Sequence, residues 1–229
     1  EYMKNLFNSI TYYLKLIHSE IVFFHIINHS FKCEKLGNPG ADWWIPLGFI
    51  DKNSICYSGG VGQDVSFDLE LIKKYGTIIH AFDPTPKSIA FIKEKVTKKQ
   101  KNFHFYPIGI WKNNSEQKFY FPKNNEHVSH SIVNLQKTNQ YFVADCKTIK
   151  KIMSELNHKK IDLLKIDIEG AEYVVLEKMI KDKISPKIIC VEFDQPTQTQ
   201  KILSMVNNLS KHGYSLIKKS YYNFTFLKI

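Results

Sequence analysis

The spacing of hydrophobic and polar positions divides the chain into elements. Residues 5–28 read as a helix that packs on the domain, and a loop rich in Gly, Pro and Trp follows from Gly37 to Gly48. Beyond it, short apolar runs alternate with amphipathic stretches. Ser54–Tyr57 predicts a strand that leads into a glycine-rich turn. Asp64 then stands as the N-cap of a helix reaching Tyr75, which Gly76 ends. Thr77–Phe82 is a β-branched run and predicts a second strand. Pro84 and Pro86 break it, and a Lys-rich helix follows from Lys87 to Lys99. Phe103–Pro107 reads as a third strand and Gln117–Phe121 as a surface strand. Residues 122–145 read as irregular, with Asp145 as the cap of a helix to Leu156. Ile161–Ile166 is an apolar strand broken only by Asp162 and Lys165. A helix over Ala171–Met179, a strand over Ile188–Phe193 and a helix over Thr199–His212 come next. Tyr214–Ile217 and Phe224–Leu227 form a terminal hairpin.

Strands alternating with helices predict an α/β, doubly wound, mostly parallel sheet covered on both faces. Residues 1–50 are expected to form a helical extension and loop packed on a domain spanning 51–229. Ligands of such sheets bind beyond the carboxyl ends of the strands, where the strand order reverses.

Composition narrows the partners. At 229 residues the chain suits one sizeable domain. The net charge of +10 comes entirely from lysine, because the 32 basic residues include no arginine. A positive field attracts anions, but the guanidinium fork that reads guanine edges and clamps phosphate is missing. Composition therefore disfavours a nucleic-acid partner. Cys33, Cys56, Cys146 and Cys190 are scattered and form no CxxC pair. That argues against a zinc or disulfide framework and predicts a reducing, cytoplasmic setting. No secretory signal is read at the N-terminus. The apolar stretch Ile21–Ile27 is far shorter than the ~20 residues a spanning helix needs, and peripheral contact with a membrane surface is the alternative use of that helix.

Four segments fall at predicted strand ends. In Tyr57–Asp64, Gly59, Gly60 and Gly62 let the backbone turn sharply and approach a ligand, unless this is a plain tight turn. Val65 stands where the third glycine of GxGxxG would be, which argues against a dinucleotide fingerprint. Asp83, after the second strand, suits both ribose hydroxyls of an adenosine cofactor, or else caps the turn before Pro84. The segment Ile108-Gly109-Ile110-Trp111 borders the adenine side, where Trp111 either stacks on a base or closes the core. Finally, Asp167 and Glu169 leave an apolar strand two residues apart. Buried charge is costly, so both are expected to face a cleft or a partner. Glu192 and Asp194 end the neighbouring strand.

These residues together resemble the FkbM-type family of class I methyltransferases. The likeness is strongest in KIDIEGAE, then in GGVGQDVSF and AFDPTPKS, and spans residues 40–195 or so. It implies a seven-stranded sheet with a reversed final strand, S-adenosylmethionine as donor, and O-methylation of hydroxyls, often on sugars or glycosylated small molecules. It also implies that Gly59, Gly60 and Gly62 border the methionine portion of the cofactor, Asp83 its ribose, and Asp167 and Glu169 the transfer site. One departure stands out. An acid commonly precedes the glycine turn in this fold, whereas Tyr57 and Ser58 occupy that stretch here. Asp64 and Asp167 are then the candidates for the methionine ammonium.

Methyl transfer needs alignment, worth ~7–11 kcal/mol, and a place for the acceptor proton. His130, Glu169 and Glu192 are the candidate bases. Alternatively, Asp167 with Glu192 or Asp194 holds a divalent cation, and the residues leave that choice open. The rival readings are an NAD-type oxidoreductase on the same sheet, or a non-catalytic binding protein with the cofactor fold.

Overall fold

The computed structural model describes residues 13–14, 16–96, 100–123, 130–134, 136–193 and 197–229. Residues 16–24 form helix α1. The stretch Gly37–Gly48 read as a loop contains β2 (Trp43–Pro46), which pairs antiparallel with β1 (Cys33–Leu36) just before it. The alternating elements follow: β3 (Ile55–Gly59), α2 (Ser66–Tyr75), β4 (Ile78–Phe82), α3 (Pro86–Lys95) and β5 (Phe103–Tyr106). Next come β6 (Gly109–Ile110), β7 (Ser115–Tyr120), β8 (Tyr141–Lys147), α4 (Ile149–Glu155), β9 (Leu163–Ile166) and α5 (Glu172–Lys181). The chain closes with β10 (Ile188–Glu192), α6 (Thr199–Lys211), β11 (Tyr214–Ser220) and β12 (Asn223–Lys228).

Seven strands make one sheet in the order β11-β12-β10-β9-β3-β4-β5. All its pairs are parallel except those of β12, which runs against both β10 and β11. The chain leaves β3 through β4 and β5 on one side and returns to build β9 on the other. The order therefore reverses between β3 and β9, where a ligand crevice is expected. The sheet is doubly wound with its last strand reversed, as the sequence and its resemblance implied.

Alternation along the strands supplies both faces with apolar side chains. Tyr57, Leu164, Ile189 and Phe226 point to one side, under Ile152 of α4, Leu176 of α5 and Leu209 of α6. Cys56, Leu163, Ile188 and Leu227 point to the other, under Leu71 of α2, Ile92 of α3, and Trp43 and Ile45 of the hairpin. Helix α1 is anchored by Phe23, edge-on to Phe224 at 5.0 Å, while Leu14, Ile17, Ile21 and Phe24 face outward. Among the described residues no helix is long and apolar enough to cross a membrane. All four cysteines are free.

Three local expectations change. Gly109–Ile110 is a short strand rather than a loop, and with β7 and β8 it forms a separate sheet in the order β6-β8-β7. Strand β8 was hidden in the stretch read as irregular, because its outward positions mix polar Asp145 with apolar Tyr141 and Val143. Asp145 lies inside that strand, opposite Glu116, and Thr148 caps α4 by accepting from the Lys151 amide. Val65, not Asp64, occupies the N-cap of α2; Asp64 accepts from the Ser66 amide at 2.7 Å. Asp162, the acid at the foot of β9, accepts from the Ile55 amide at 3.0 Å and pairs with Lys160.

Candidate active site

At the switch point the backbones of the glycine turn and of the loop after β9 touch. The Asp167 amide donates to the Gly59 carbonyl at 3.0 Å, and the Gly60 amide donates to the Phe82 carbonyl at 2.9 Å. A Cβ on Gly60 would lie 1.6 Å from the Asp167 carbonyl oxygen, and Gly60 sits at φ +75°. Only glycine fits both the conformation and the space.

Two charged side chains hold this crossing. Lys165, the lysine in the apolar strand, is 5% exposed. Its Nζ donates to the Gly60 carbonyl at 2.6 Å and stands 3.6 Å from Asp167 Oδ2. Asp83 latches the outer edge of the turn. Its Oδ2 accepts from the amides of Val61 and Gly62, both at 3.0 Å, and its Oδ1 from the amide and hydroxyl of Thr85 at 2.8 and 2.7 Å.

A cavity opens beside this crossing. Of the residues singled out from sequence, Gly60, Gly62, Asp64, Asp83, Gly109, His130, Asp167 and Glu169 line it. Gly59 is packed behind the wall, where a Cβ would meet the Ile110 side chain at 2.9 Å. Trp111 does not line the cavity; it is buried in the core, the second of its two sequence alternatives. Glu192 does not line it either, and pairs in register with Asn223 at the end of β10. Asp194 lies outside the described residues. Among the described residues no group of three or more His, Cys, Asp or Glu is placed to hold a metal ion. Tyr57, at the position where an acid is common, is fully buried, and its hydroxyl meets His158 Nδ1 at 2.8 Å on the other face of the sheet from α2.

The block KIDIEGAE builds the far wall. Glu172, buried in the first turn of α5, accepts from the amides of Ile168 and Gly170 at 3.0 Å each. The loop it holds carries Glu169 at φ +57°, a left-handed conformation uncommon for a side chain larger than glycine and concentrated at functional sites. Ser131 Oγ donates to the Glu169 carbonyl at 2.5 Å, which ties in the segment bearing His130. The His130 ring is buried, 4.8 Å from Phe121 and 5.5 Å from Phe142.

Sequence reasoning assigned no role to two of the charged residues here. One is Lys165. The other is Asp68, in the first turn of α2, 2% exposed and lining the cavity. Burial pushes the Asp68 carboxyl up to about 6, against the pull of the Lys165 charge and the Ser58 hydroxyl. The Ser58 contact falls short of a hydrogen bond: Asp68 Oδ1 and Ser58 Oγ are both buried without a hydrogen-bond partner. A signal was present in the sequence. Asp68 stands three residues before Leu71, on the stripe that α2 buries. Asp64 behaves differently. Burial works against its ionisation, yet hydrogen bonds from Ser66 and Asn38 hold its carboxyl below the ordinary range. In a chain of net charge +10, the cavity gathers Asp64, Asp68, Asp83, Asp167 and Glu169 against one lysine, Lys165.

Comparison with known proteins shows the family of the chain. The family described as "Methyltransferase FkbM domain" matches residues 57–216. Among curated relatives, the probable methyltransferase-like protein 24 of Homo sapiens is 27% identical over 141 residues, covering 60% of this chain and 31% of that protein. Its Rattus norvegicus counterpart is 25% identical over 165 residues, covering 71% and 39%. The chain thus spans about a third of the length of these relatives. Among solved structures, an rRNA methylase from Streptococcus thermophilus aligns with TM-score 0.46 at 11% identity, covering 79% of this chain and 90% of that one. The Methanococcus jannaschii fibrillarin pre-rRNA processing protein aligns with TM-score 0.47 at 12% identity, covering 87% and 83%.

Two substitutions test these assignments. Asp83→Asn removes charge-assisted bonds worth ~1.5–3 kcal/mol, so it is expected to lower stability by at least that much in chemical denaturation; an unchanged midpoint would show that the latch is dispensable. Asp68→Asn is expected to do the opposite. The Asp68 carboxyl titrates near 6 in the fold against 3.8 as its ordinary value. Its ionisation therefore opposes folding, fully above pH 6 and not at all below pH 3.8. The variant should melt a few degrees higher than the parent at pH 8, with the gap closing towards pH 4; a gap independent of pH would overturn the assignment.

Proposed function

The chain belongs to the FkbM family of methyltransferases, and from that premise we propose an S-adenosylmethionine-dependent O-methyltransferase that acts on a hydroxyl of a sugar or glycosylated small molecule. The charge of the cavity carries this reading. Five carboxylates against one lysine favour a ligand that brings positive charge. S-adenosylmethionine carries a sulfonium and an ammonium. NAD would bring a pyrophosphate against the same carboxylates, and the turn lacks the third dinucleotide glycine.

The residues fit such a cofactor. The backbone cradle at Gly60 is free of side chain, and the Asp68 carboxylate is buried beside it. Asp83, just after β4, already accepts four hydrogen bonds, so it is assigned to holding the turn at the ribose edge and not to gripping the hydroxyls itself. When bound, the cofactor supplies an electrophilic methyl group on sulfur. A base of the protein would take the proton of the acceptor hydroxyl. His130 is our choice of base, with Glu169 next to it on the same wall. Glu169 also faces a recess lined by Tyr120, Phe121, Ser131, Asn134 and Gln136.

Calorimetric titration should show binding of S-adenosylmethionine and S-adenosylhomocysteine and none of NAD; tight NAD binding without the others would end this reading. For the base, His130→Gln is expected to slow turnover of a confirmed acceptor by ~10²–10⁴-fold with unchanged affinity for S-adenosylhomocysteine. Undiminished turnover would remove His130 from that role.

A further inference from the structure

The surroundings of four of the five cavity carboxylates can be compared. Asp83 uses both oxygens on the turn and Thr85; Asp64 accepts from Ser66 and Asn38; Asp167 faces Lys165. Asp68 differs, because it lines the cavity while its Oδ1 is buried with no hydrogen-bond partner among the described residues. A carboxylate oxygen in that state forfeits its hydration without compensation. Lys165 does not satisfy it. The lysine Nζ is committed to the Gly60 carbonyl, its ion pair is with Asp167, and no ion pair joins it to Asp68 among the described residues.

The location narrows what would complete it. Asp68 is carried by the first turn of α2, directly after the glycine turn, on the sheet face that holds Cys56 and Leu71. Ser58 contributes a second buried polar atom, its hydroxyl, from the penultimate position of β3. Asp68 and Gly60 line the same cavity, and Asp68 lies near enough to Lys165, which holds the Gly60 carbonyl, to feel its charge. A neutral donor would satisfy the oxygen but leave its charge uncompensated; a compact cation with several N–H donors would do both.

We infer that Asp68, with the Ser58 hydroxyl beside it, is the receptor for the α-ammonium group of the cofactor's amino-acid arm, replacing the acid that Tyr57 displaces from the end of β3. The inference rests on the methyltransferase reading and deepens it. Asp64 and Asp167, the candidates from sequence, keep their existing partners. Asp68 thereby becomes a specificity determinant: it makes the site prefer the whole cofactor over a nucleoside that lacks the amino-acid arm.

The test compares two ligands that share a nucleoside and thioether, S-adenosylhomocysteine and 5′-methylthioadenosine, by calorimetry on the full chain and on Asp68→Asn, with thermal unfolding confirming the fold of each. The parent should bind S-adenosylhomocysteine more tightly. Asp68→Asn should weaken that ligand by at least tenfold while leaving 5′-methylthioadenosine within twofold of the parent. Equal weakening of both ligands would make Asp68 a general support of the cavity and overturn the inference, as would an unchanged S-adenosylhomocysteine affinity. A parent that binds neither ligand would instead overturn the cofactor reading itself. Asp64→Asn and Asp167→Asn, run alongside, should not reproduce the selective loss; if either does in place of Asp68→Asn, the receptor is that residue.

Discussion

The contact between Gly60 and the Asp167 carbonyl constrains everything around it. At the switch point of a doubly wound sheet the loops leaving two neighbouring strands turn away in opposite directions, and a crevice opens beyond the strand ends. Here they are held in contact: a Cβ at Gly60 would penetrate the Asp167 carbonyl. Lys165 ties the Gly60 carbonyl from below, and Asp83 ties the Val61 and Gly62 amides from the side. The turn thus has few backbone groups left to satisfy and little freedom to move. A rigid, side-chain-free wall is what a close-fitting ligand requires.

The electrostatics of the cavity run against those of the molecule. A lysine-rich surface surrounds a carboxylate-rich cleft, so the site draws its selectivity from local charge and not from the overall field. Burying Asp68 opposes folding at neutral pH, because desolvation outweighs the pull of Lys165. A buried charge that a neutral isostere would relieve is the kind of feature a binding site retains at the expense of stability. Glu169, held at positive φ by the Glu172 and Ser131 contacts around its loop, is a second local strain on the same cavity.

Most of the large sheet was legible because its code is local. Short continuous apolar runs marked β3, β4, β9 and β10, and glycines or prolines marked where they stop. Strand β8 and the hairpin of β1 and β2 were not legible. Their side chains alternate weakly, and they become strands only through partners, β7 and β6 in one case and each other in the second. Trp111 shows the same limit in the site, since its strand-end position suited either a ligand or the core, and packing against the small sheet decided for the core.

What the sequence by itself determined was the order of elements, the glycine turn, the acids at the strand ends and the resemblance that groups them. These follow from backbone preferences and spacing, which act over a few residues. Tertiary structure alone decided which acids share one cavity, that Glu192 is not among them, and that Lys165 reaches back to the glycine turn. It also decided that Asp68, which the sequence places on the buried stripe of α2, is left with an oxygen unmet. Burial and the distance between charges are set by how α2 and β9 meet across the sheet, and no local pattern encodes that crossing.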